Sequence, residues 1–116
     1  MVGLVATVLA VTSSRGLADD RSLMADVHCV IVGMQLAEAS PSVQQSRGVL
    51  MAIYYLGRLD GQSKGADIEG LIVAEAGKMT SADYASETKR CDAGLTEKGL
   101  QITQLGQDLI ARQRSK

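Results

Sequence analysis

VLMAIYYLGRLDG, residues 49–61, is the stretch on which the fold turns. Its first eight residues are aliphatic, alanine or tyrosine. Charge arrives only at Arg58 and Asp60, and Gly61 follows. It reads as the central buried helix of a small all-α domain, the element the others pack around.

Working upstream, Ser40-Pro41 marks a boundary. Proline restricts the residue before it and suits the first turn of a helix, and serine caps. A helix over 41–59 follows, with Val43, Val49 or Leu50, Ile53, Leu56 and Leu59 supplying its buried side. Asp60-Gly61 ends it, glycine providing the left-handed backbone common just past a helix. Before the boundary, Leu23, Val27, Val30, Ile31 and Met34 recur at helical spacing, predicting a helix over 21–39. Asp19 and Asp20 stand where acids complement a helix N-terminus.

Downstream, residues 62–66 read as a polar loop. Asp67 starts a short helix with Ile68, Leu71, Ile72 and Met79 inward, weakened by Gly70 and Gly77 by about 1 kcal/mol each relative to alanine. Thr80 and Asp83 have the spacing of a capping box. Beyond them Tyr84, Thr88, Cys91, Leu95, Lys98, Ile102, Leu105 and Leu109 form a heptad-like seam, interrupted by one threonine and one lysine. Gly94 and Gly99 can divide this last helix, so four or five helices are expected. Arg112, Arg114 and Lys116 lie where cations favour a helix C-terminus.

The first 18 residues, MVGLVATVLAVTSSRGLA, have a different character. An apolar run over 2–11, a polar segment over 12–16, and small residues at Gly16 and Ala18 lay out a secretory signal peptide. No lysine or arginine precedes the run, which leaves a retained N-terminal helix or anchor as the other reading. The run is shorter than the about 20 residues a membrane-spanning helix needs. The expected organisation is a signal over 1–18 and one helical domain over 19–116, periplasmic or secreted. The processed chain would carry 11 basic and 13 acidic residues, a net charge of −2.

Of the 116 residues, 46% are hydrophobic and 22% charged, which is ordinary globular composition. The whole chain has a net charge of −1 and offers no basic stripe for phosphate, which argues against nucleic-acid partners. Phenylalanine and tryptophan are absent, so the core must be aliphatic with help from three tyrosines. A domain of this size is marginal, and a covalent staple would help.

Cys29 and Cys91 are the only cysteines. In an exported chain an even count reads as a disulfide, and both positions fall on apolar faces. Closing so long a loop contributes about 4 kcal/mol in the chain-entropy view. The rival readings are two free thiols, a redox pair, or a zinc site with His28. A redox pair is usually closer in sequence. His28 and Cys29 project about 100° apart on a helix, so they do not readily share one ion. No metal or cofactor is expected.

His28 is the only histidine, and any Ser/His or Cys/His catalysis would have to use it. No sequence motif of nucleotide binding, metalloprotease or serine hydrolase chemistry occurs. Tyr54, Tyr55, Arg58 and Asp60 cluster as a candidate recognition patch, Tyr54 and Arg58 being four apart and able to stack. The plainer alternative is tyrosine rings resting in the core while Arg58 pairs with a nearby acid. Asp67, Glu69, Glu75, Asp83, Glu87, Asp92 and Glu97 lack calcium-loop spacing and read as solvated helix faces. The frequent glycines suggest close helix–helix approach or, more plainly, kinked helices.

An apolar leader, a compact helical domain and one long-range cysteine pair resemble the layout of small periplasmic acid-stress chaperones. The layout is also similar to that of small helical periplasmic inhibitor or immunity proteins. The resemblance is architectural and implies no site residues.

The leading expectation is a non-catalytic binding or stress-related interaction protein with a protein partner. One alternative is a small redox or other enzyme using Cys29 and Cys91. The other is an oligomeric module whose 84–109 seam continues between chains. A deep polar cleft where His28 meets two carboxylates would favour catalysis.

Overall fold

The computed structural model describes residue 3 and residues 12–39, 42–62 and 67–115, with side chains at 12–19 and 39 left aside. Four helices account for nearly all of it: α1 (Thr12–Ala39), α2 (Ser42–Gln62), α3 (Ile68–Ala76) and α4 (Ser81–Arg114). The fold is all-α, and the described residues contain no strand.

The hub is α1 rather than the 49–61 stretch. Val27, Cys29, Val30, Ile31 and Val32 are all buried, so this part of α1 is enclosed on most sides. It contacts α2, α3 and α4. By contrast α2 buries one stripe only, formed by Gly48, Met51, Tyr55 and Leu59. Val43, Val49, Leu50, Ile53 and Leu56, expected inward, are exposed. Only Leu59 of the expected set is in the core.

Small residues decide which face of α2 turns inward. Gly33 and Ala37 on α1 meet Gly48 and Ala52 on α2 backbone to backbone. A Cβ added to Gly33 would lie 2.6 Å from the Ala52 nitrogen, and one on Gly48 would lie 2.6 Å from the Gly33 carbonyl oxygen. Real Cβ atoms essentially never come so near, so glycine is required at both places. Close approach, one of the two readings of the glycines, holds here.

Several boundaries differ from expectation. Helix α1 begins at Thr12, nine residues before Arg21. Helix α2 runs through Asp60 and Gly61 to Gln62, because Gln62 reaches back to α1, donating to buried Asp26 at 2.6 Å. Helix α4 is continuous through Gly94 and Gly99, giving four helices rather than five among the described residues. The proposed boundary at residues 40–41, the loop at 63–66, and the apolar run at 2–11 apart from Gly3 lie outside the described residues.

Local capping fixes the last two helices. Asp67 accepts from the Gly70 backbone at 2.9 Å at the start of α3. Thr80 and Asp83 form the expected reciprocal box, 3.1 and 2.8 Å. Helix α3 is a short lid whose Ile68, Leu71, Ile72 and Ala76 pack against the core.

Helix α4 joins the bundle through its first half only. Cys91 is fully buried, and Tyr84 and Leu95 pack on the core. From Gly99 onward every residue to Ser115 is exposed. At 1.5 Å per residue this free arm is about 25 Å long. The radius of gyration, 19.8 Å, exceeds the about 13 Å of a compact domain of this size, and the arm contributes to the difference.

Candidate functional site

Cys29 and Cys91 form a disulfide, S–S 2.05 Å, between α1 and α4. Both residues are 0% exposed. A thiolate cannot approach a sulfur enclosed in this way without local opening, which disfavours exchange chemistry. The bond is consistent with an oxidising compartment.

Next to the disulfide, Tyr55 inserts from α2. Its hydroxyl donates to the Cys91 carbonyl at 2.9 Å, and its ring end lies where a side chain at residue 94 would be. Gly94 therefore admits Tyr55 and leaves α4 unbroken. Burial pushes the Tyr55 phenol above its ordinary value, with Tyr54 adding to the rise. The Tyr54 ring meets Tyr55 edge-on, centroids 4.8 Å apart.

Arg58 lies over both rings, 5.8 and 6.0 Å from their centroids. It donates from Nη1 to the Tyr54 hydroxyl at 3.3 Å and from Nε to Asp26 at 3.1 Å. These two bonds raise its guanidinium further above an already high value. Asp26, 3% exposed, is a buried carboxylate held by Arg58 and Gln62. Three of the four expected patch residues are thus together, but Arg58 is also engaged structurally. Asp60 is exposed and does not join them.

The surface between α2 and α4 forms a cleft at these residues. A polar pocket of about 210 Å³ is lined by Tyr54, Tyr55, Arg58, Glu97, Lys98 and Gln101. It adjoins, through Tyr54 and Lys98, an apolar groove of about 570 Å³. Leu50, Leu95, Leu100 and Ile102 line the groove, with Arg47 at its edge. Arg47 is set by bonds to Asp92 and, at 2.7 Å, to Thr96 Oγ1, which tie α2 to α4 below the opening. The groove leads onto the free arm of α4, where Ile102, Leu105, Leu109 and Ile110 are each at least half exposed.

His28 does meet two carboxylates. Its Nε2 lies 3.1 Å from Glu75 of α3 and its Nδ1 3.3 Å from Glu87 of α4. Lys78 reaches Glu75 at 3.5 Å, and Arg90 joins Glu87 to the Ala25 carbonyl. The hydrogen bond from His28 pulls the Glu75 carboxyl below its usual range, and the one from Arg90 does the same for Glu87. With both ring nitrogens occupied, neither faces a substrate. The cluster is a clasp holding α3 and α4 to α1.

Sequence reasoning placed Glu75 and Glu87 on solvated faces; they are instead drawn together through the tertiary fold. Asp92 likewise pairs with Arg47, Asp67 caps α3, and Asp83 completes the box capped by Thr80. No local spacing signals the pairing of Glu75 and Glu87 with His28 or of Asp92 with Arg47, which spans 45 residues or more. The two caps, at three-residue spacing, match expectation. Among the described residues no group of three His, Cys, Asp or Glu side chains could hold a metal ion. No described helix is long and apolar enough to cross a membrane.

No family model, curated protein or solved structure matches the chain. The functional reading therefore rests on its own geometry.

Proposed function

We propose that the chain is a non-catalytic interaction protein of the periplasm or another oxidising, exported compartment. It docks a partner polypeptide along the apolar face shared by α2 and α4. One observation carries this reading: the groove at Leu50, Leu95 and Ile102 runs directly onto the exposed arm bearing Leu105, Leu109 and Ile110. Contiguous exposed apolar surface with a polar rim marks interaction sites on soluble proteins. Arg47, Glu97 and Lys98 provide such a rim.

The body behind this face is suited to holding it rigidly. The disulfide, the Gly33–Gly48 crossing and the Tyr55–Cys91 bond fix α1, α2 and the first half of α4 together. The signal-like residues 1–18 and the disulfide support export.

The test is suppression of aggregation of a chemically unfolded reporter polypeptide, followed by light scattering. The wild-type protein is expected to delay scattering, and Leu105→Asp/Leu109→Asp to lose the effect with an unchanged melting temperature. Equal behaviour of the two proteins would refute the reading.

A further inference from the structure

The arm of α4 has the pattern of a helix that meets a copy of itself. We propose that two chains associate through antiparallel pairing of residues 95–112, about a two-fold axis near Thr103 and Gln104. This inference rests on reading the α2–α4 face as a docking surface, and it assigns that surface a second copy of this chain as occupant.

The seam first limits the direction. Leu95, Lys98, Ile102, Leu105, Leu109 and Arg112 alternate at three- and four-residue steps along one side of the arm. In a parallel pair, Lys98 would face its own copy and so would Arg112, placing like charges in the seam. Antiparallel pairing about residues 103–104 opposes Ile102 to Leu105, Lys98 to Leu109 and Leu95 to Arg112. The two cationic stems then lie along leucines, where their methylenes cover apolar surface and their charged ends reach the rim.

Charge then fixes the register. In that pairing Lys98 approaches Asp108 of the other copy, and Glu97 approaches Arg112, each contact occurring twice. Among the described residues these four form no ion pair within the chain. Lys98 bonds only Gln101 at 2.7 Å, and Asp108 accepts from Gln104 at 3.0 Å. The two-fold axis gives each charge an opposite charge.

Glycine placement agrees. Gly99 and Gly106 are seven residues apart beside the seam, and a Cβ on either would meet nothing within 4 Å. Where this chain brings α1 and α2 together, Gly33 and Gly48 occupy the contact. Antiparallel pairing brings Gly99 near Gly106 of the other copy, so two bare stretches of backbone can approach in the same way.

The available area suits a modest dimer. Leu50, Ile102, Leu105 and Leu109 are 58–62% exposed. At roughly 100 Å² each they offer about 800 Å² across two copies, the size of a weak, transient interface. A dissociation constant on the order of micromolar is expected.

Sedimentation velocity from about 1 to 200 μM on the full oxidised chain tests the proposal. A concentration-dependent monomer–dimer equilibrium is expected. Leu105→Asp should leave only monomer, with its melting temperature unchanged because the arm lies outside the core. Asp108→Lys should weaken the dimer about tenfold, and Lys98→Glu/Asp108→Lys should restore it to within about twofold. A monomer at every concentration, or a dimer indifferent to Leu105→Asp or to the charge swap, overturns the proposal. A monomer that still protects the reporter polypeptide would overturn the second copy as occupant and leave the docking surface standing. A monomer that protects nothing would remove both.

Discussion

Gly33 and Gly48 touch backbone to backbone where α1 crosses α2, the Gly33 carbonyl oxygen lying 2.6 Å from where a Gly48 side chain would begin. Neither neighbour is the flexible end of a side chain, so neither yields cheaply. Gly48→Ala is expected to destabilise the fold by about 1–3 kcal/mol through overpacking, despite alanine's higher helix propensity. Gly57→Ala, where a Cβ meets nothing, serves as control and should be neutral or stabilising. Urea unfolding of the two variants checks this.

The disulfide should resist reductant in the folded state, since both cysteines are fully buried. Thiol counting in denaturant without reductant should find no free thiol on protein from an oxidising compartment, and reductant applied to the folded protein should release none. Cys29→Ser/Cys91→Ser is expected to lower stability by about 2–5 kcal/mol, read from the same urea transition.

Arg58→Ala should cost about 1–3 kcal/mol, because it leaves the buried Asp26 carboxylate with Gln62 alone. Arg58→Lys should recover only part of this. An ammonium cannot bond Asp26 and Tyr54 from the two ends of a planar fork. Thermal melts of the pair separate charge from geometry.

Acid should loosen the attachment of α3 and α4 to α1. Glu75 and Glu87 have folded-state values below their ordinary 4.5. The unfolded chain therefore takes up protons before the folded chain does as pH falls. The contribution is complete above about 4.5 and disappears as pH drops through the folded values. The groups facing His28 are Glu75 and Lys78 from α3, and Asp83, Glu87 and Arg90 from α4. Urea midpoints between pH 7 and pH 3 should fall, and Glu87→Gln should flatten the fall. An unchanged midpoint for the wild-type protein would contradict the role given to the clasp.

Features written in neighbouring residues were legible in the sequence. The Thr80–Asp83 box and the Asp67 cap need only three-residue spacing, and the Cys29–Cys91 pair needs only two inward positions. The face of α2 was not legible. Apolar residues occupy both its 48–51–55–59 line and its 49–53–56 line, so hydropathy alone leaves two solutions. Gly48 decides between them by admitting the α1 backbone, a fact that exists only when Gly33 stands opposite. Gly61 likewise looks like a stop until Gln62 finds Asp26.

The candidate site divides along the same line. Tyr54, Tyr55 and Arg58 are close in sequence and stand together in the fold. Glu97, Lys98 and Gln101, which complete their pocket, come from another helix. The seam of α4 continues past the core with no change in pattern at Gly99. A heptad marks a face able to pack against another helix, of the same chain or of a second one.

Hydrogen exchange along α4, measured at high and low protein concentration, tests most directly whether its arm is a docking surface. Amides of residues 99–114 should be protected at high concentration and lose that protection on dilution, while residues 84–95 stay protected throughout. Rapid exchange of the arm at both concentrations would mean that nothing covers it, contradicting the assignment.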